Sequence, residues 1–196
     1  MATTGPVAAG AGGEPAHGAT ESITLGGGCF WCTEAVFEQV QGVHSVESGY
    51  CNGHFERPTY EQVCTGRSGH AEVVQLRFDP TVIGLREVLA IFMATHDPTT
   101  LNRQGHDVGP QYRSGIYLHD AQQEPVARAV VAEVQEALGV PVVTEIVPLS
   151  GYSPAEGYHQ RYYARNPGQG YCVAVIAPKL AKFRKLYTQR LKAPRA

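Results

Sequence analysis

Between Glu21 and Val147 the hydrophobic pattern switches several times between a period of two and a period of 3.6, and the order of those switches limits the fold most. Ile23 and Leu25 start a short strand that runs into Gly26-Gly27-Gly28, after which Val36, Phe37 and Val40 recur at helical spacing until Gly42. Val43 to Tyr50 and Ala71 to Phe78 read as strands. The second sets Val74, Leu76 and Phe78 against Val73, Gln75 and Arg77 before Asp79-Pro80 stops it. Leu85, Val88, Leu89 and Phe92 form an i, i+3, i+4, i+7 stripe that predicts a helix to Thr95, ended by His96-Asp97-Pro98. Ser114 to Leu118 reads as a strand, Ala121 to Leu138 as a helix with Val126, Val130, Val134 and Leu138 along one face, and Val142 to Val147 as a strand. The order βαββαβ plus an appended αβ predicts an α+β fold, a two-layer ferredoxin-like split βαβ plan with additions.

With 196 residues the chain is near the upper edge of what one core supports, so residues 21–196 are expected to form a single domain. Residues 1–20 are Gly, Ala, Thr and Pro with almost nothing to bury, and are expected to be a disordered N-terminal extension. Cys51 to His70 reads as a long loop. Ser150 to Cys172 reads as a second long loop, and its five tyrosines argue for a functional loop rather than disorder. The cations from Lys179 onward read as a solvated basic helix.

A hydrophobic content of 43% with 17% charged residues is that of a globular protein, and no apolar run approaches the ~18 residues of a membrane span. A net charge of −2 removes the simplest case for nucleic-acid binding. Five cysteines, an odd number, follow a segment without a secretory or transit pattern, so the expected compartment is the reducing cytoplasm. There, cysteines pack, bind metal or carry out redox chemistry.

Three glycines place Cys29 at a helix start, where backbone N–H groups and the helix dipole favour an anion; this predicts a lowered thiol pKa and marks Cys29 as a candidate nucleophile. Phe30 and Trp31, the only tryptophan, would put an aromatic wall beside it. Cys29 and Cys32 also form a C-x-x-C, a dithiol signal; Cys32 could equally pack. A zinc site lacks a second ligand pair at the right spacing. Glu72, in Gly69-His70-Ala71-Glu72, sits at the mouth of an apolar strand, where burial would keep it protonated and able to give a proton to a leaving oxygen. Tyr60 and Tyr112 add phenol donors, and Asp107 is an acid in a turn-prone frame.

Gly28-Cys29-Phe30-Trp31, Pro58-Thr59-Tyr60, Gly69-His70-Ala71-Glu72, His96-Asp97-Pro98-Thr99, Gln104-Gly105, Gln111-Tyr112-Arg113-Ser114, Ala155-Glu156, Tyr158-His159-Gln160 and Gly170-Tyr171-Cys172 occur in one order. Together they resemble the A-class peptide methionine sulfoxide reductases from about Ile23 to Tyr187. The resemblance implies that residues 21–196 are a catalytic domain in which Cys29 attacks the sulfoxide sulfur. It further implies that Phe30 and Trp31 hold the substrate S-methyl group, with His159 and Tyr171 also in the substrate site. By the same resemblance Glu72 protonates the oxygen, Tyr60 and Tyr112 hydrogen-bond it, Asp107 supports the site, and Cys172 resolves the sulfenic acid. The implied substrate is the S-epimer of methionine sulfoxide, free or in proteins, and the implied reductant is thioredoxin or a similar dithiol, with no metal or organic cofactor and a monomer as the working unit. No cysteine follows Cys172, although some members of the family carry a second recycling thiol there. Read from the residues, Cys64 packs, and Cys172 lies in a mobile Gly-rich stretch.

Two other readings use the same residues. A dithiol-disulfide oxidoreductase would need Cys32 but not Glu72, whereas a sulfoxide reductase needs Glu72 and can work without Cys32. A noncatalytic binding module built on the tyrosine-rich loop would keep its function when Cys29 is replaced.

Overall fold

The computed structural model describes residues 20–193. The expected extension falls almost wholly on residues 1–19, outside the described residues. The chain runs β1 (Glu21–Gly27), α1 (Phe30–Phe37), β2 (Val43–Cys51), α2 (Tyr60–Cys64), β3 (Ala71–Phe78), α3 (Leu85–Thr95), β4 (Arg103–Gln104) and β5 (Asp107–Val108). After a 3₁₀ turn at Pro110–Tyr112 come β6 (Ser114–Leu118), α4 (Gln123–Leu138), β7 (Glu145–Pro148), β8 (Ser153–Pro154), α5 (Tyr162–Arg165), a π-helical turn at Cys172–Ile176 and α6 (Ala177–Leu186).

The main sheet has the order β7-β6-β1-β3-β2-β8. Its centre, β6-β1-β3-β2, is the split βαβ arrangement: β3 lies antiparallel between β1 and β2, and β6 is antiparallel on the other side of β1. The additions extend both edges, β7 parallel to β6 and β8 antiparallel to β2. The pleat separates two apolar clusters. Val74, Leu76 and Phe78 of β3 and Ile116 and Leu118 of β6 join the main core with Phe37 of α1, Phe92 of α3, Val130 of α4 and Phe183 of α6. The alternate residues Val73 and Tyr117 join Cys51 and Ala71 in a small cluster on the other side.

Several elements depart from the sequence pattern. The Cys51 to His70 segment contains α2, and the Ser150 to Cys172 segment contains β8 and α5. On α4 the i, i+4 valine row drifts around the axis, so Val130 is buried but Leu138 is half exposed; Ala127 takes its place in the core. The basic helix α6 is solvated on one side only, because Leu180 and Phe183 are fully packed. Cys172 starts the π-helical turn and is fully buried, which corrects its placement in a mobile stretch.

Candidate active site

β1 delivers the chain to the start of α1 through Gly28, whose φ of 89° lies in the left-handed region. A Cβ at Gly28 would fall 2.5 Å from the Gln104 side chain, so this position needs glycine for conformation and for space. Cys29 is the N-cap of α1, and its carbonyl accepts the Cys32 N–H at 3.0 Å. The Phe30 N–H has no partner inside the helix; it donates to Glu72 Oε2 at 3.1 Å. One backbone donor thus ties the helix start to β3, where Glu72 stands opposite Tyr50.

Glu72 is 1% exposed. Burial pushes its carboxyl up to about 8, the Phe30 N–H draws it back, and the charges of Asp107 and Cys32 push it further up. Glu72 is therefore predominantly a neutral acid at pH 7.

The thiol behaves differently from the expectation. The helix terminus is worth only about 0.3–1 kcal/mol, and burial outweighs it; burial, the hydrogen bond with Cys32 and the Glu72 charge together push Cys29 well above the ordinary thiol range. The acidic member of the C-x-x-C is Cys32, lowered to about 7 by the Cys29 hydrogen bond despite its own burial, with help from the Lys179 charge. Tyr171 Oη lies 3.9 Å from Cys32 Sγ and donates to Asp107 Oδ2 at 2.6 Å. Asp107 is carried by the β4–β5 hairpin, paired with Gln104. Gln104 in turn accepts the Asp97 N–H at 3.0 Å and donates to the Asp97 carbonyl, fixing the hairpin against the end of α3.

Aromatic rings line the other side. Phe30 is packed against Tyr50 and His159, with ring centroids 5.7 and 5.0 Å apart. Trp31 stacks on Tyr162 at 3.7 Å and 5°, and its indole N–H donates to His159 Nδ1 at 3.1 Å. That bond makes Nδ1 the acceptor, so His159 is neutral with its proton on Nε2, in line with the burial that lowers its pKa. The Tyr60 ring lies 4.4 Å from His159. Tyr60 begins α2 and Tyr112 ends the 3₁₀ turn; burial and the Glu72 charge push both phenols upward, so each remains an O–H donor.

The structure therefore gathers Cys29, Phe30, Trp31, Tyr60, Glu72, Asp107, Tyr112, His159 and Tyr171 into one connected neighbourhood, with Cys172 beneath it in the core. Cys64, expected to pack, is exposed. Cys51 is buried on the opposite sheet face. Among the described residues no three His, Cys, Asp or Glu side chains are placed to hold a metal ion.

Three supporting residues were given no role by the sequence, although Glu156 and Arg113 stand in the motifs that carry the resemblance. Glu34, 1% exposed, accepts from the Ser48 hydroxyl at 3.1 Å and from the Arg161 and Tyr162 N–H groups at 2.9 and 3.2 Å, which holds the Trp31–Tyr162 stack to α1. Glu156 accepts from the Tyr50 hydroxyl at 2.8 Å and the Tyr60 N–H at 2.9 Å. Arg113 donates to Glu145, to the Gly69 and Pro110 carbonyls and to the Asn52 carbonyl, and so clamps the segments that lead into Glu72 and Tyr112. Their partners are distant in the chain, and only the tertiary arrangement brings them together.

The model of the peptide methionine sulfoxide reductase family matches residues 21–191. Peptide methionine sulfoxide reductase MsrA of Ralstonia nicotianae is 56% identical over 181 residues, covering 89% of this chain and 95% of that protein. Among solved structures, methionine sulfoxide reductase A of Corynebacterium diphtheriae superposes with a TM-score of 0.74 at 40% identity, over 79% of this chain and 78% of that one. Mxr1 of Saccharomyces cerevisiae, in complex with Trx2, gives a TM-score of 0.51 at 27% identity over 73% and 84% of the two chains. On the match of the family model, the identity to its members and the shared fold, the chain belongs to the peptide methionine sulfoxide reductase family.

Proposed function

We propose that this enzyme reduces the S-epimer of methionine sulfoxide, free or in oxidised proteins, with Cys29 as the nucleophile and Glu72 as the acid. The observation that carries the reading is the neutral, buried Glu72 bound to the backbone at the start of the helix that Cys29 caps. A sulfoxide oxygen leaves sulfur only once protonated. Glu72 gives its proton to that oxygen while the Cys29 sulfur bonds to the sulfoxide sulfur, and the proton lost by the Cys29 thiol returns to Glu72; the hydroxyl then passes to the Cys29 sulfur as the sulfoxide S–O bond and the new S–S bond break. The products are the thioether and a Cys29 sulfenic acid: the sulfoxide is reduced by two electrons and Cys29 is oxidised by two. Tyr60 and Tyr112 donate to the oxygen, Phe30 and Trp31 receive the S-methyl group, and His159, Tyr171 and Asp107 hold the rings and the thiol pair in place. Cys172 carries the final intramolecular disulfide. The family membership and the complex of yeast Mxr1 with Trx2 support thioredoxin as the dithiol that reduces it. No described helix is long and apolar enough to cross a membrane, and we place the enzyme in the cytoplasm, as a monomer repairing oxidised proteins under oxidative stress.

The test is single turnover without an external reductant. Reduced wild-type protein is expected to form one equivalent of methionine from methionine sulfoxide, and Cys29→Ser none. One equivalent from Cys29→Ser would remove the assignment.

A further inference from the structure

Cys29, Cys32 and Cys172 lie in one continuous core but are not equivalently placed. Cys29 and Cys32 are one helical turn apart, held by the 3.0 Å bond from the Cys32 N–H to the Cys29 carbonyl, and both are buried. A C-x-x-C at a helix start can close its disulfide without moving the chain. Cys172, in contrast, is fully buried. Its neighbour Tyr171 reaches Cys32 Sγ at 3.9 Å while held by Asp107, and among the cysteines it is Cys32 whose charge bears on Cys172. The π-helical turn that starts at Cys172 is an uncommon form, frequent at functional sites.

We propose that Cys32 is the first resolving thiol and passes the disulfide from Cys29 to Cys172. This rests on the sulfoxide-reductase reading. In the first step the Cys32 sulfur attacks the sulfur of the Cys29 sulfenic acid, the S–O bond breaks, and the hydroxyl leaves as water with the proton of the Cys32 thiol; a Cys29–Cys32 disulfide forms. In the second step Cys172, as thiolate, attacks the Cys32 sulfur. A Cys32–Cys172 disulfide forms, Cys29 leaves as thiolate and takes up the proton that Cys172 lost, and no net oxidation occurs. The relay frees the nucleophile before any external reductant arrives. The last disulfide lies at the entry to α6 rather than inside the substrate site. The Lys179 charge, which favours the Cys32 thiolate, is placed to promote the first step.

The experiment mixes reduced wild-type protein with one equivalent of N-acetyl-methionine sulfoxide, quenches with acid at successive times, blocks free thiols, and maps disulfide-linked peptides. The expected course is a Cys29–Cys32 peptide that rises first and is replaced by Cys32–Cys172. Cys172→Ser should accumulate Cys29–Cys32. In Cys32→Ala the Cys29 sulfenic acid, trapped with a cyclic 1,3-dione, should disappear roughly tenfold or more slowly than in wild type, because the thiol one helical turn away has gone. A Cys29–Cys172 disulfide appearing first in wild type would overturn the relay, and that result does not depend on how well any variant folds. If wild type forms no methionine, the sulfoxide-reductase reading itself fails; methionine formed with Cys29–Cys172 first removes the relay alone.

Discussion

At the scale of single residues, burial decides the chemistry. Glu72 and Cys29 are both desolvated, and the same cause moves both groups toward their neutral forms: a carboxylic acid ready to give a proton and a thiol that loses its own only as it attacks. The reactive protonation state is therefore lost as pH rises through the Glu72 value of about 8. Single-turnover methionine formation in wild type should decline above that pH. Glu72→Gln keeps the shape but has no transferable proton, so it should be slower by roughly 10²- to 10⁴-fold and lose the decline. A variant matching wild type across pH 5 to 9 would show that the proton comes from another group. The same result separates a sulfoxide reductase from a dithiol-disulfide exchanger, which has no use for Glu72.

Among elements, the shortest ones matter most to the site. α2 has five residues, too few to be stable by propensity, and it depends on a capping box: the Thr59 hydroxyl accepts the Gln62 N–H at 3.4 Å while the Gln62 side chain accepts the Thr59 N–H at 2.9 Å. Tyr60 is its first residue, so the cap also orients a phenol of the site. Thr59→Ala should cost about 0.5–2 kcal/mol in urea unfolding, and should raise KM for methionine sulfoxide more than it lowers kcat. An unchanged KM would mean that Glu156, which accepts the Tyr60 N–H, suffices to hold the ring. The signal for α2 stood in the sequence as Thr59-Tyr60-Glu61-Gln62, but a helix of one turn has no hydrophobic period to accompany its cap. The long elements β3 and α3 were legible because their burial repeats along the chain, as the packed Val74, Leu76, Phe78, Val88, Leu89 and Phe92 confirm.

Across the whole molecule, two buried groups give stability opposite dependences on pH. His96 donates from Nδ1 to the Phe92 carbonyl at 2.7 Å and accepts at Nε2 from the Ser114 hydroxyl at 2.6 Å, joining α3 to β6. Burial lowers it from 6.5 to about 4, so between those values the unfolded chain holds a proton that the folded chain refuses, and stability rises with pH. Glu72 is raised from 4.5 to about 8, so in that window the folded chain holds the extra proton and stability falls with pH. Each slope is about 1.4 kcal/mol per pH unit. The two cancel between pH 4.5 and 6.5, where their windows overlap; from 6.5 to 8 Glu72 acts without His96, opposed above about 7 by the lowered Cys32 thiol. Glu72→Gln should therefore gain on wild type steadily up to pH 8, read as the difference between the two urea-unfolding profiles. Parallel profiles would show that Glu72 titrates near its ordinary value in the folded protein.

The sequence by itself determined the split βαβ core, the helix start that places Cys29, and the set of site residues implied by the order of the short motifs. The first two are properties of local period and turn chemistry, which are written along the chain; the third is what the resemblance of the motifs implies. Tertiary structure alone decided which thiol is acidic, that Cys172 is buried and Cys64 exposed, and how Glu34, Glu156 and Arg113 hold the site together. Desolvation and hydrogen bonding between residues as far apart as Glu34 and Tyr162 depend on what surrounds a group in space, and no local pattern in the chain encodes it.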